Sequence, residues 1–326
     1  MDSKKIKATA ISSEPQEQFH SPVMAKEVVE YLDLPEGAIV IDATVGLGGH
    51  SECLLNAYPL ISKLIGMDVD QAAISLAKGR LSASADKVEM VNRNFIHIKS
   101  TVNSMGIEYV DGIVADLGIS SFQLERSGKG FSFRKNEFLD MRMDAGLQFS
   151  AYDLVNGMKT EELEYILREY GEEKFAGRIA SSIVKSRAKK SIQTSFELAS
   201  IISSSIPKKF HPKKTHPATK TFQALRISIN NELDNLAIFI EEAVKILNTG
   251  ARLAIISFHS LEDRIVKNMF RKLDSPCVCP ADLPICACGR VQQVRRVTRS
   301  VVRPKKSEVE ENPRARSSKM RVAEGV

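Results

Sequence analysis

Residues 39–51 read IVIDATVGLGGHS: an apolar, β-branched run that ends on Asp42 and then breaks into Gly46, Gly48, Gly49 and His50. A strand, a glycine turn and a helix start place backbone N–H groups and the positive end of a helix where a ligand can approach closely. Three glycines within four positions are costly unless the backbone is needed in that shape, because glycine loses the most conformational freedom on ordering.

The surroundings repeat the same rhythm. From residue 20 to Asp116 the chain alternates AIVIDAT, a helix from His50 to Asn56, KLIGMDV, a helix from Gln71 to Leu81, VEMVNRNF and VDGIVADLG. Short apolar strands alternating with helices predict an α/β fold with a parallel sheet covered on both faces. Right-handed crossovers then put every loop that follows a strand on one edge, where the ligand crevice sits.

After Phe133 the rhythm stops. Residues 134–216 read as helical and polar, with EELEYILREYG, AGRIASSIVKSRAKK and SFELASIISSSIPKK as helices. Phe222, Leu225, Ile229, Leu233, Leu236, Ile240, Ala243 and Leu247 then recur at helical spacing, which predicts one long core helix capped by Gly250. ARLAIISF at 251–258 returns the chain to the sheet, and VTRSVV with SKMRVA is expected as a closing strand pair. The expected layout is a polar, disordered tail over 1–19, a first part of the sheet domain over 20–133, a helical insertion over 134–216 that holds the substrate, and the rest of the sheet domain over 217–326.

Composition narrows the classes. Of 326 residues, 43% are hydrophobic and 26% charged, as in ordinary folded proteins. No apolar run reaches the roughly 20 residues of a membrane span, and the first 19 residues lack the apolar centre of a secretion signal, so the cytoplasm is expected. The net charge of +6 is concentrated in KSRAKK at 185–190, PKKFHPKKTHPATK at 207–220 and RVQQVRRVTRSVVRPKK at 290–306. Excess placed in this way favours a polyanionic partner, with a solvated basic surface as the plainer reading. Besides Cys53, cysteines cluster at Cys277, Cys279, Cys286 and Cys288. They can supply four thiolates to a zinc ion, although CxC is tighter than the usual knuckle spacing, and unligated thiols remain the alternative.

Two cofactors suit the glycine turn. A nicotinamide dinucleotide calls for GxGxxG with an acid about 20 residues on. Asp68 meets the second requirement, but GxGG followed by His50 does not meet the first. An acid ending the first strand, a glycine turn and a second acid ending the next strand also describe an S-adenosylmethionine site, where Asp68 accepts from the ribose hydroxyls. Phe95, just past the third strand, is placed either against the adenine or in the core.

HSPVM at 20–24, DATVGLGGHS, GMDVD, DGIVADLGISSFQL, GFSF, LDMRMD, YGEEKFAGRIA, FQALRISINNEL, SFHSLEDRIVK and ENPRARSSKMRVAE together resemble the MraW family of bacterial small-subunit ribosomal RNA cytosine-N4 methyltransferases. The resemblance runs from residue 20 to Glu324. It implies a class I S-adenosylmethionine-dependent methyltransferase with a Rossmann-like sheet and an inserted helical subdomain. The implied substrate is a cytidine in the decoding region of 16S ribosomal RNA, within the small ribosomal subunit. Carried over by motif, the cofactor residues are Gly48, Gly49, His50, Asp68, Phe95, Asp116 and Gln123. Phe122 stands where the family usually has proline, Lys129 where it has arginine, and Glu137–Phe138 where it has Gly-Pro, all beside the expected substrate mouth.

The cytosine N4 amine is a weak nucleophile, so a proton acceptor is expected near it. Asp116 contacts either the cofactor's adenine or the target amine, and the resemblance favours the cofactor; Asp140 and Asp144 in LDMRMD and His259 in SFHSLED are the further candidates for binding or deprotonating the base. Against them stand an ion-paired turn for LDMRMD and a hydrogen-bonded core histidine for His259. Phe131 and Phe133 are expected as walls for an unstacked base, and Lys185, Arg187, Lys189, Lys190, Lys213 and Lys214 as phosphate contacts. Two rivals remain at this level: a nicotinamide-dependent oxidoreductase, and a noncatalytic ribosome-assembly factor that binds RNA.

Overall fold

The computed structural model describes residues 21–275, 277, 279, 288–289 and 291–326. Along the first part run α1 (Ala25–Leu32), β1 (Ile39–Asp42), α2 (Gly49–Ala57), β2 (Lys63–Asp68), α3 (Gln71–Arg80), β3 (Val88–Asn92), α4 (Ile98–Ser104) and β4 (Val110–Asp116). The helical stretch holds α5 (Ser121–Arg126), α6 (Ala151–Gly157), α7 (Thr160–Glu169), α8 (Ala176–Arg187), α9 (Ser195–Ser205) and α10 (Thr219–Asn230). The chain closes with α11 (Glu232–Val244), β5 (Leu247–Ser257), α12 (Ser260–Asp274), β6 (Val294–Arg296), α13 (Lys306–Glu311) and β7 (Lys319–Gly325).

The seven strands form one sheet in the order β3-β2-β1-β4-β5-β7-β6. The first five are parallel, and β7 runs antiparallel between β5 and β6. This is the Rossmann-like sheet that the resemblance implies. Strand order reverses between β1 and β4, so the crevice at their carboxyl ends, beside Asp42 and Asp116, is the ligand position of such a sheet.

Alternation along the strands explains the layers. Ile41, Ile65, Ile113, Leu253 and Ile255 point to one face, where Phe239 and Ile240 of α11 and Val266 and Phe270 of α12 cover them. Their neighbours Val40, Leu64, Val114, Ala254 and Ile256 point the other way, onto Val28 and Leu32 of α1 and Leu54 of α2. Each such side chain stabilises the fold by about 1.5–3 kcal/mol on burial. A second core lies outside the sheet. It gathers Leu154, Leu163, Leu167, Ile179, Ile183, Leu198 and Ile202 from α6–α9 with Phe222, Leu225 and Ile229 from α10.

Two expected elements differ. The long helix is broken: Asn231, with φ 49° and ψ 37°, caps the C-terminus of α10 and precedes α11. Phe222, Leu225 and Ile229 serve the helical core, whereas Leu236, Ile240 and Ala243 serve the sheet. One straight helix cannot present a single stripe to two cores in different directions, and asparagine tolerates the left-handed conformation that the break requires. α11 ends at Val244, and Gly250 (φ 83°) sits in the irregular start of β5 rather than capping a helix.

The partner of β7 is also different. β6 pairs with it, while VTRSVV gives only an isolated bridge from Val302 to Met320. Thr298 explains the departure, since its Oγ1 accepts the Val322 N–H at 2.9 Å and takes the place of a ladder partner. Among the described residues no helix is long and apolar enough to cross a membrane.

Candidate active site

The glycine turn closes over the end of β1. Gly46 and Gly48 adopt φ of 49° and 77°, and Gly48 serves as the N-cap of α2. A side chain at Gly49 would come within 3.2 Å of Pro22, so this proline of the HSPVM segment is seated directly on the turn. Small residues are required here because the backbone is both left-handed and covered.

Hydrogen bonds and close contacts gather several of the predicted residues into two sets, one around Asp68 and one around Asp116. Gly46 N–H donates to Asp68 Oδ2 at 2.9 Å, and Asp70 N–H donates to Asp68 Oδ1 at 2.9 Å. Asp70 caps α3 and accepts from Gln123 Nε2 at 3.3 Å. Gln123 also closes the capping box of α5, its Oε1 accepting the Ser120 N–H at 3.1 Å. At the end of β4, Asp116 N–H donates to Thr44 Oγ1 at 2.6 Å, and Asp116 Oδ2 lies 3.5 Å from His50 Nε2. Asp42 is buried and accepts from the Ser51 hydroxyl at 2.7 Å.

Burial sets the charges. It pushes the Asp68 carboxyl up to about 6, against the two backbone N–H bonds that favour the ionised form. It also raises Asp42, although His50 and Ser51 pull the other way. Burial pulls His50 down, but Asp116 and Asp42 more than restore it, so the imidazole sits above its ordinary value. Both ring nitrogens of His50 and Oδ1 of Asp116 are buried without a hydrogen-bond partner. Orphaned polar atoms of this kind are costly, at about 1–3 kcal/mol each, unless a ligand meets them. Their position at the reversal of strand order is where a nucleoside-bearing cofactor fits.

A model of the MraW methylase family matches residues 17–326. The chain belongs to that family. The ribosomal RNA small subunit methyltransferase H of Caldicellulosiruptor bescii is 46% identical over 308 residues, covering 94% of this chain and 99% of the relative. The proteins of that name from Clostridioides difficile and Geobacter sp. are 45% and 46% identical, each covering 95% of this chain and 100% of the relative. The cofactor of this MraW-family chain is S-adenosyl-L-methionine, and the lining fits it: a carboxylate for hydroxyls at Asp68, the backbone of the glycine turn at 46–49, and the unmet ring nitrogens of His50.

The other predicted residues are placed as follows. Phe95 meets Phe239 edge to face, with ring centroids 4.9 Å apart, and packs partly against the sheet core. Asp140 grips Arg142 through both oxygens, at 2.6 and 3.1 Å, and Asp144 accepts the Gly146 N–H at 2.7 Å. His259 caps α12: its Nδ1 accepts the Glu262 N–H at 3.4 Å, and its Nε2 lies 3.1 Å from Glu262 Oε1, off hydrogen-bond direction. Phe131 is buried in the helical core and offers no free face, while Phe133 stacks on His216 at 4.4 Å. Arg187 donates inward to Val155 O and Met158 O, and Lys190 pairs with Glu197 at 2.9 Å. Lys185, Lys189, Lys213 and Lys214 are exposed. Of the expected zinc ligands, Cys277, Cys279 and Cys288 are described and Cys286 lies outside the described residues.

Several supporting residues went unread in the sequence. Thr44 and Ser51, which hold Asp116 and Asp42, carry no signal beyond lying in the turn. Asp70 does carry one, an Asp immediately before a helical run, which is an N-cap signature. Arg226 pairs with Glu232 at 2.8 Å through both nitrogen–oxygen contacts, and Asn230 holds Met143 N–H and Met141 O at 2.8 and 2.9 Å. A spacing of six is not a helical neighbour spacing; only the break at Asn231 brings Glu232 back onto Arg226.

Proposed function

We propose that the protein methylates the exocyclic N4 amine of a cytidine in the decoding region of 16S ribosomal RNA, acting in the cytoplasm on the small ribosomal subunit. Relatives that match nearly end to end carry the name ribosomal RNA small subunit methyltransferase H, which supports the substrate class. The observation that carries the site is the half-buried Asp116 carboxylate at the end of β4, with Oδ2 against His50 and a buried Oδ1 that has no partner.

When bound, S-adenosylmethionine supplies an electrophilic methyl group on a sulfonium. Asp68 and the glycine turn hold that cofactor, and the residues around the β4 end orient the amine. The amine lone pair is delocalised into the ring, so orientation supplies the larger share, on the order of 7–11 kcal/mol, against ~10²- to 10⁴-fold from a proton acceptor. Among the four candidate acceptors the surroundings favour Asp116; Asp144 is turned to the Gly146 N–H within its own turn. Asp140 has both oxygens on Arg142, and His259 is turned to its own helix, whereas Asp116 Oδ1 has no partner.

A paired base cannot reach the crevice and is taken out of its stack, or is met already unpaired. The helical insertion over 134–216 holds the surrounding RNA through exposed lysines that contact phosphate and carry little sequence information. Mass mapping of 16S ribosomal RNA from cells lacking the protein is expected to show the loss of one N4-methyl on cytidine. An unchanged set of N4-methylcytidines would refute the substrate.

A further inference from the structure

The loop between α12 and β6 carries a cysteine cluster with no part in the methyl-transfer site. The sulfurs of Cys277, Cys279 and Cys288 all lie within 4.8 Å of one another, although Cys288 is eleven positions from Cys277. Cys277 and Cys288 Sγ are 3.8 Å apart. A disulfide would bring them to about 2.05 Å. A tetrahedral metal with metal–sulfur bonds of about 2.3 Å spaces its sulfurs by about 3.8 Å. The Cys279 N–H donates to Cys277 Sγ at 3.3 Å, the kind of bond that orients a ligating thiolate.

We propose that Cys277, Cys279 and Cys288 bind one zinc ion as thiolates, in a structural site distinct from the cofactor crevice. The neck of the loop is already tied: Arg296 Nε donates to Asp274 Oδ2 at 2.6 Å, Gln292 Nε2 to Asp274 Oδ1 at 3.1 Å, and Gln293 N–H to Leu273 O at 3.0 Å. The metal joins Cys277 and Cys279, just past the end of α12, to Cys288, ahead of the edge strand β6. The 15 residues of α12 span about 22 Å, which sets the cluster at the far end of that helix from His259. Three soft sulfur donors select zinc or a similar thiophilic ion over magnesium or calcium.

Native mass spectrometry of the reduced full chain loaded with zinc is expected to show one retained ion. Cobalt titration of the same chain is expected to give the thiolate-to-cobalt absorption at one equivalent, displaced by one equivalent of zinc. Cys277→Ser and Cys288→Ser should each abolish that absorption, and Cys53→Ser should keep it. Binding of S-adenosylhomocysteine should be unchanged in all three, which separates this site from the proposed reaction. A metal-free mass after zinc loading, an absorption that survives in Cys288→Ser, or a Cys277–Cys288 disulfide in protein analysed without reductant would overturn the proposal.

Discussion

Asp68 is the residue whose chemistry is best defined by its surroundings. Folded, it keeps its proton up to about pH 6; unfolded, it releases it near the ordinary 3.8. Between those values the folded state binds more protons, so the cofactor-free protein loses stability as pH rises through that window. Ligand hydroxyls favour the ionised form, so the sign for binding is the reverse. Affinity for S-adenosylhomocysteine should be full above about pH 6 and weaken below it, towards tenfold per unit, as followed by isothermal titration. Asp68→Asn removes the charge and should weaken binding about 10- to 150-fold at pH 7.5, equivalent to about 1.5–3 kcal/mol for a hydrogen bond to a charged group. Asp116 supports a second prediction. It raises the His50 imidazole, so Asp116→Asn should lower that pKa, and ring NMR resonances should titrate at lower pH. The part of stability that comes from the raised His50 is present at low pH and is lost as pH rises through the folded value; in the variant that loss comes earlier. At this scale the acids and glycines were legible, because strand ends and left-handed turns demand particular residue types. Asp140 and His259 were ambiguous because an acid beside an arginine, or a histidine before a helix, reads the same whether it caps or catalyses.

Among the elements, the junction of α10 and α11 is held by a largely buried ion pair. Arg226 and Glu232 are 14% and 11% exposed as side chains, and their bidentate pair spans the break. Arg226→Ala strands Glu232 without its cation and should cost about 3–5 kcal/mol in chemical denaturation. Arg226→Met with Glu232→Leu should recover much of that loss, since a packed apolar pair needs no desolvation. At Asn231, replacement by valine forces a β-branched residue into φ 49° and should cost about 1–2 kcal/mol, while glycine should be tolerated. The strands were legible from alternation, since a run such as IVID buried on both faces has few other solutions. The break was not legible, because Phe222 to Leu247 keep one helical period even though their two halves answer to different cores.

For the whole molecule, the exposed lysines predict a graded and non-specific contribution to RNA affinity. Replacing Lys185, Lys189, Lys213 and Lys214 with alanine should lower the salt slope of small-subunit binding by roughly 0.7–0.9 for each phosphate that is no longer neutralised, with folding unaffected. Arg187→Ala should behave differently and lower stability, because its guanidinium ties α8 to the carbonyls at the end of α6. Charge clustering in the sequence suggested a phosphate-binding role but could not tell an outward lysine from an inward arginine.

The placement of β4 beside β5 has a kinetic consequence. These neighbours at the middle of the sheet are separated by roughly 130 residues, and closing a flexible loop of that length costs about 4 kcal/mol before any strand pairing repays it. The α6–α10 cluster is made largely of pairings between sequence neighbours, which form fast. Refolding followed by pulsed hydrogen exchange should therefore protect amides of α7 and α8 well before those of β5, with the collapsed helices acting as the splint that brings the two halves of the sheet within reach.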